Sequence, residues 1–172
     1  MGGVYTAVWV LYVTALGGSP LVTGLSISVY SLPVILFSGA AGRLGDRFGI
    51  RKMVFLTLIF TGISAVAYGL TRSIPLVMAL SFVEALSTLG GMPAVYAEIS
   101  RVIPSSQQGR AQGLFGMFTV GVEALGALGA GFLFIYWIAL PFISVAVVCL
   151  LALAAVPFLG RQPKLPAAEV AC

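Results

Sequence analysis

Charged side chains are scarce in this sequence, since Lys, Arg, Asp and Glu make up 8% of its 172 residues and hydrophobic residues make up 60%. Soluble domains contain about 25% charged residues, so this chain lacks the polar side chains needed to cover a water-facing surface. Lipid is the medium that so many apolar side chains can face. The composition therefore excludes a soluble globular domain and predicts an all-α integral membrane protein.

Several residues and motifs that carry chemistry are also missing. The sequence contains no histidine, which removes the commonest metal ligand and general base. Its two cysteines, Cys149 inside an apolar run and Cys172 at the end, do not form a disulfide framework. No glycine-rich phosphate-binding motif points to ATP, and the net charge of +4 is spread over short segments rather than gathered in a nucleic-acid-binding patch. We therefore expect no enzyme activity, no metal or cofactor, and no nucleic-acid partner.

The apolar residues are grouped in six runs separated by short polar segments. A helix needs about 20 residues to cross the hydrocarbon core at 1.5 Å per residue, and all runs but the first reach about that length. We therefore predict a six-helix transmembrane domain over residues 1–160 and a cytoplasmic tail over residues 161–172. The runs cover approximately residues 3–17, 20–41, 53–71, 74–97, 111–134 and 137–159.

The basic residues predict how these spans are oriented. Six spans place eight of the nine on one side of the membrane and only Arg72 on the other. Because positively charged loops stay in the cytoplasm, we expect both termini to be cytoplasmic in a multi-pass protein of the cell membrane. The eight are Arg43, Arg47, Arg51, Lys52, Arg101, Arg110, Arg161 and Lys164.

Glycine is unusually frequent in the fifth run. Small residues let helix backbones approach closely where lipid provides no hydrophobic drive for association. We therefore expect tight helix packing at most of these positions. They are Gly109, Gly113, Gly116, Gly121, Gly126, Gly129 and Gly131.

The segment between the second and third runs, residues 42–52, is the most specific pattern in the chain and reads GRLGDRFGIRK. Its three glycines permit a tight turn between two packed helices. Its single acid, Asp46, can pair with a nearby arginine or lie against a helix N-terminus. Such a cluster can hold one group of helices against another and release it when they rock apart. A plain positively charged loop would explain the bases, but not Asp46 or the glycine spacing.

This segment resembles the signature loop of the major facilitator superfamily, G-x-L-x-D-R-x-G-x-R-K. The stretch PSSQQGRAQG at residues 104–113 is similar to the loop before the fifth helix of a half in that family. The resemblance implies one six-helix half, built as a 3+3 inverted repeat, that pairs with a second half or a second copy. The fifth run lacks the Gly-Pro pair of the family's antiporter signature, which favours the C-terminal half. The matching residues are Gly42, Leu44, Asp46, Arg47, Gly49, Arg51 and Lys52.

The resemblance also implies a function, namely secondary active transport of a small organic solute by alternating access. Two acids within the apolar runs and the absence of an ATP motif favour coupling to protons. Efflux is the direction that the resemblance suggests. The alternative is a truncated or accessory membrane subunit that does not itself transport.

The two acids, Glu84 and Glu123, lie well inside the fourth and fifth runs. At 1.5 Å per residue each is roughly 15–18 Å from one membrane face, so both are near the midplane. No Lys or Arg shares that depth. Since the resemblance places both on helices that line a central cavity, they are candidates for carrying a proton or binding a cationic substrate. The alternative is a neutral, hydrogen-bonded glutamate that holds helices together.

Further candidate residues flank these acids. Glu98 and Arg101 have the i, i+3 spacing of a local ion pair and could complete the latch formed by residues 42–52. Four aromatic residues could stack on an organic substrate, but they could equally face lipid or the membrane interface. They are Tyr5, Trp9, Tyr12 and Tyr30.

Overall fold

The computed structural model describes residues 2–156, and every regular element in that range is helical. This confirms the predicted all-α class. Residues 157–172, which include the predicted cytoplasmic tail, lie outside the described residues, as do the side chains of residues 41, 42, 44–46 and 50. The helices are α1 (Gly2–Ala15), α2 (Pro20–Leu70), α3 (Ile74–Thr88), α4 (Gly91–Val102), α5 (Gln108–Tyr136) and α6 (Leu140–Ala155), with a short 3-10 helix at Ser105–Gln107.

Four helical segments are long and apolar enough to cross a membrane. Helices α1 and α6 are also apolar, but their 14 and 16 residues extend only about 21 and 24 Å along the helix axis. That the chain crosses the membrane six times therefore stays a prediction. The four longer segments are Pro20–Ala40, Arg51–Leu70, Ile74–Val102 and Ser105–Tyr136.

Helix α2 is broken at Gly49, where φ is 75° and ψ is 160°. A positive φ favours glycine because it has no Cβ. The indole of Trp9 donates a hydrogen bond to Ser26 before the break and packs against Tyr68 after it, so the two parts of α2 lie side by side. The predicted loop over residues 42–52 is thus shorter than expected, since the backbone is helical on both sides of Gly49 and the chain reverses at this one glycine.

An aromatic core joins α1, the second part of α2 and α6. Tyr12, Tyr68 and Phe142 have no exposed surface, and Trp9 is 9% exposed. The Tyr12 hydroxyl donates to the carbonyl of Tyr68 at 2.7 Å, which satisfies its polar end inside the core. The suggestion that Trp9 and Tyr12 face lipid or the membrane interface is therefore wrong, because both pack inside the helix group.

The α5 glycines do not pack as predicted. A Cβ added at most of them would meet no other atom within 4 Å, and Gly126 alone approaches a neighbour, the side chain of Val4, among the α5 glycines. The close approach between α1 and α5 instead depends on Gly3, where a Cβ would overlap the carbonyl of Glu123. The open α5 positions are Gly109, Gly113, Gly116, Gly121, Gly129 and Gly131.

A candidate solute cavity with a buried acid

A cavity of about 920 Å³ lies between α1, both parts of α2, and α3 to α5. Pockets that bind small molecules usually measure about 300–1,000 Å³, so the volume of this cavity is in that range. The resemblance places the first, second, fourth and fifth spans around such a cavity. In the structure the predicted third span, which is the second part of α2, also contributes to its wall. Its lining includes Tyr5, Trp9, Val10, Ile27, Tyr30, Leu58, Thr61, Tyr68, Glu84, Phe118 and Glu123, but no Lys or Arg among residues 2–156.

Glu84 is the buried acid of this cavity and is 4% exposed. The hydroxyl of Tyr68 donates to its Oε2 at 2.8 Å. The Tyr5 hydroxyl is buried close to the same carboxylate. A buried carboxylate usually has a cation beside it, because an unpaired charge in an apolar site is costly. Among the described residues phenol groups face it and no Lys or Arg lines the cavity, so a proton is the simplest way to neutralise the site.

Tyr68 is placed against Glu84 by the aromatic core. Its ring lies 5.3 Å from Trp9 and 5.7 Å from Phe142, and its backbone carbonyl accepts the bond from Tyr12. These contacts leave the side chain little freedom, so its hydroxyl stays directed at α3. Sequence reasoning missed Tyr68, although a tyrosine inside an otherwise apolar run was an available signal.

Glu123 reaches the same cavity from α5 and is half-buried. Its Oε1 lies against Gly2, in the first turn of α1. Tyr5, which faces Glu84, follows Gly2 by three residues, or about 4.5 Å along the helix axis. The two predicted acids therefore flank the same part of α1. Among residues 2–156, no hydrogen bond or ion pair holds the Glu123 carboxylate.

The predicted ion pair near the end of α4 is present, because Arg101 Nη2 lies 2.8 Å from Glu98 Oε1. The Arg101 side chain is largely exposed, whereas Glu98 is more protected. Whether the pair acts together with residues 42–52 stays a prediction.

The basic side chains that the structure describes within residues 42–52 lie at the surface. Arg43 and Arg47 are exposed, and the Lys52 ammonium lies 6.0 Å from the centre of the Phe48 ring. The predicted pairing of Asp46 falls on a side chain outside the described set. Its role as a latch therefore stays a prediction.

Comparison with known proteins identifies the family. The family model described as Major Facilitator Superfamily matches residues 1–171. Multidrug resistance protein 2 of Bacillus subtilis is 25% identical over 147 residues, which cover 86% of this chain and 36% of that protein. The arabinose-proton symporter of B. subtilis is 27% identical over 62% of this chain and 23% of the relative. A Lactococcus lactis homolog of the multi-drug resistance efflux pump PmrA is 29% identical over 48% of this chain and 20% of the relative.

The matches thus span only about a fifth to a third of the relatives' own lengths. The family match nevertheless covers nearly the whole chain, and the apolar helices agree with a membrane protein of this family. The chain therefore belongs to the major facilitator superfamily.

Proposed function

We propose that this chain forms one wall of a secondary active transporter that moves a small organic solute by alternating access. Proton coupling drives the movement, and efflux is its direction. The observation that carries the proposal is Glu84, a buried carboxylate that lines an organic-sized cavity and has a phenol, not a cation, as its hydrogen-bond donor.

Proton coupling follows from the change in solvent that alternating access brings. In the closed, apolar site an ionised Glu84 accepts a hydrogen bond from Tyr68 but has no Lys or Arg beside it in the described lining, so proton uptake lowers the free energy of that state. When the cavity opens to water, hydration stabilises the ionised carboxylate and the proton can leave. Glu123 is the second candidate for this role or for contact with a cationic solute. One relative is named a proton symporter, which is consistent with the coupling, and another is named an efflux pump homolog, which is consistent with the direction.

A complete transporter requires a second wall. Helix α5 buries little of its surface in this chain, although its residues Phe118 and Glu123 line the cavity. A second six-helix half or a second copy that closes the cavity would cover this helix. We further propose that the chain corresponds to a C-terminal half with both termini in the cytoplasm. The latch formed by residues 42–52, together with Glu98 and Arg101, then holds the cytoplasmic ends of the helices.

Reconstitution in liposomes that contain a pH-sensitive dye tests proton coupling. Arabinose and the permanently charged cation trimethyl(4-phenylbutyl)ammonium serve as neutral and cationic probes. We expect at least one probe to drive proton movement with the wild-type chain, and Glu84→Gln or Glu123→Gln to abolish it. The matched control is Thr23→Val, since Thr23 is buried outside the cavity lining and its hydroxyl bonds to the Ser19 carbonyl.

Two outcomes would contradict the proposal. Equal proton movement in the wild type and in both glutamine variants would exclude these carboxylates as proton carriers. No movement with any probe, in a chain that folds and inserts, would favour the alternative of a non-transporting accessory subunit.

A further inference from the structure

A second, smaller groove of about 320 Å³ lies at the surface, where the second part of α2 begins and α6 ends. It is separate from the solute cavity, since the two share no described lining residue. Its described lining combines two basic residues with three apolar ones and includes no acid. The lining residues are Arg51, Lys52, Phe55, Leu56 and Val156.

The second part of α2 and α6 run antiparallel and in close contact. A Cβ added at Gly62 would lie 3.3 Å from the Cβ of Cys149. One added at Gly69, a further seven residues along α2, would lie 3.5 Å from the Cβ of Ala139, which precedes Cys149 in the chain. The end at which the second part of α2 begins is therefore the end at which α6 stops.

The two basic residues lie beyond the end of α6. Phe55 precedes the first of these contacts by seven residues on α2, and Val156 follows it by seven, so the two lie at one level. Arg51 and Lys52 lie about 6 and 4.5 Å further along the α2 axis. Since Arg51–Leu70 is apolar enough to cross a membrane and begins with this pair, the bases lie at the level of lipid headgroups and the apolar residues at the level of acyl chains.

The charge and the donors of this pair suit an anion with several oxygens. Both side chains are exposed. The Lys52 ammonium carries three N–H donors, so its contact with the Phe48 ring at 6.0 Å leaves donors for an oxygen ligand. The Arg51 guanidinium has five N–H groups in a fork that matches two oxygens of one phosphate. Phe55 and Leu56, each 45% exposed, continue the groove as an apolar wall.

We propose that this groove binds one anionic phospholipid, whose phosphate accepts hydrogen bonds from Lys52 and Arg51 and whose acyl chain packs on Phe55 and Leu56. A free phosphate ion would leave the apolar wall uncovered, and a neutral lipid would bring no net charge to the bases. The chain's own tail fits less well, because the charged residues that first follow α6 are also basic. Anionic lipids are concentrated in the cytoplasmic leaflet, where the predicted orientation places this end of the helices. The inference goes beyond the proposed function, since it concerns a lipid and not the solute.

Native mass spectrometry of the full chain, released from detergent micelles, counts bound lipids and gives a Kd for each. The probes are phosphatidylglycerol and phosphatidylcholine with the same oleoyl chains, so they differ in the headgroup alone. We expect one phosphatidylglycerol to bind about tenfold more tightly than phosphatidylcholine. Lys52→Gln should weaken phosphatidylglycerol binding about tenfold, as for one lost hydrogen bond to a charged group, and leave the Kd of phosphatidylcholine within about twofold. Lys52→Arg should restore the preference.

Two further variants separate the headgroup contact from other effects. Arg110→Gln is the matched control, because Arg110 is an exposed base on α5 outside the groove and its loss changes the net charge equally. It should leave the ratio of the two Kd values unchanged. Leu56→Asn should weaken both lipids to the same extent, because it removes a contact with the acyl chain and none with the headgroup.

Equal effects of Lys52→Gln and Arg110→Gln would overturn the proposal, because net charge alone would then explain the binding. Equal Kd values for the two lipids in the wild-type chain would overturn it as well.

Three other results would give the groove a different occupant and so refute the lipid. Displacement of phosphatidylglycerol by an equal concentration of glycerol 3-phosphate would show that the site binds free phosphate. A disulfide between Leu56→Cys and Cys172 in a Cys149→Ala chain, undiminished by phosphatidylglycerol, would assign the groove to the chain's own tail. A dimer that Lys52→Gln abolishes would assign it to a second copy.

Discussion

At the scale of single residues, the hydrogen bond from Tyr68 to Glu84 is the contact whose loss is easiest to interpret. Tyr68→Phe keeps the ring that packs against Trp9 and Phe142 but leaves Glu84 Oε2 without its donor. A buried acceptor without a partner costs about 1–3 kcal/mol, so we expect a lower midpoint of thermal unfolding in detergent. Solute-driven proton movement should fall as well, because the carboxylate is no longer held in place.

The control for this prediction is Tyr96→Phe. Tyr96 is partly exposed on α4, packs edge-on against Phe115, and makes no hydrogen bond through its hydroxyl within residues 2–156. Removing that hydroxyl should change neither the unfolding midpoint nor proton movement. Equal effects of the two substitutions would show that the Tyr68 hydroxyl has no special relation to Glu84.

The sequence predicted the acids of the cavity but not their partners. Glu84 and Glu123 could be found from depth alone, because a carboxylate within an apolar run is conspicuous and helix rise is constant. Which hydroxyl meets Glu84 depends on the register between α2 and α3, and no local pattern determines that register.

At the scale of helices, the roles of the glycines could likewise be predicted only in part. The glycines of residues 42–52 indicated a turn, but only the backbone shows that Gly49 makes the reversal. The α5 glycines indicated helix packing, yet most face open space in this chain, whereas Gly3 allows the close approach of α1 and α5. Glycines in a sequence indicate that helices can approach closely, but only the three-dimensional structure shows which glycine lies at a close contact.

Alanine substitutions at Gly49 and at Gly39 should change the stability of the protein in opposite directions. Gly49→Ala forces an L-residue to a φ of 75°, which costs about 1–2 kcal/mol, so the unfolding midpoint should fall. Gly39 lies in the same helix with regular backbone and open space around its Cα, so Gly39→Ala should stabilise by up to about 1 kcal/mol. Thermal unfolding of both variants measures the difference. A midpoint that falls equally in both would contradict the assignment of the reversal to Gly49.

At the scale of the whole molecule, the position of the cavity bears on where the proposed second wall would bind. Helix α5 contributes lining residues and is otherwise mostly exposed, while α6 contributes none of the described lining and is exposed along its outer side. Both helices present apolar side chains, so hydrophobicity does not distinguish a partner-facing helix from a lipid-facing one. The position of the cavity distinguishes α5 from α6, so we expect the proposed second wall to lie beside α5, which lines the cavity.

Crosslinking between copies tests this arrangement. Leu125 on α5 and Leu150 on α6 are similarly exposed, at 70% and 67%, and neither lines the cavity. In a background with Cys149 and Cys172 replaced by alanine, we expect Leu125→Cys to form a disulfide-linked dimer in membranes and Leu150→Cys to stay monomeric on a non-reducing gel. Because the two positions match in residue type and exposure, a difference between them reports the geometry of the partner. Faster crosslinking at Leu150→Cys, or equal crosslinking at both, would show that copies do not meet across the cavity.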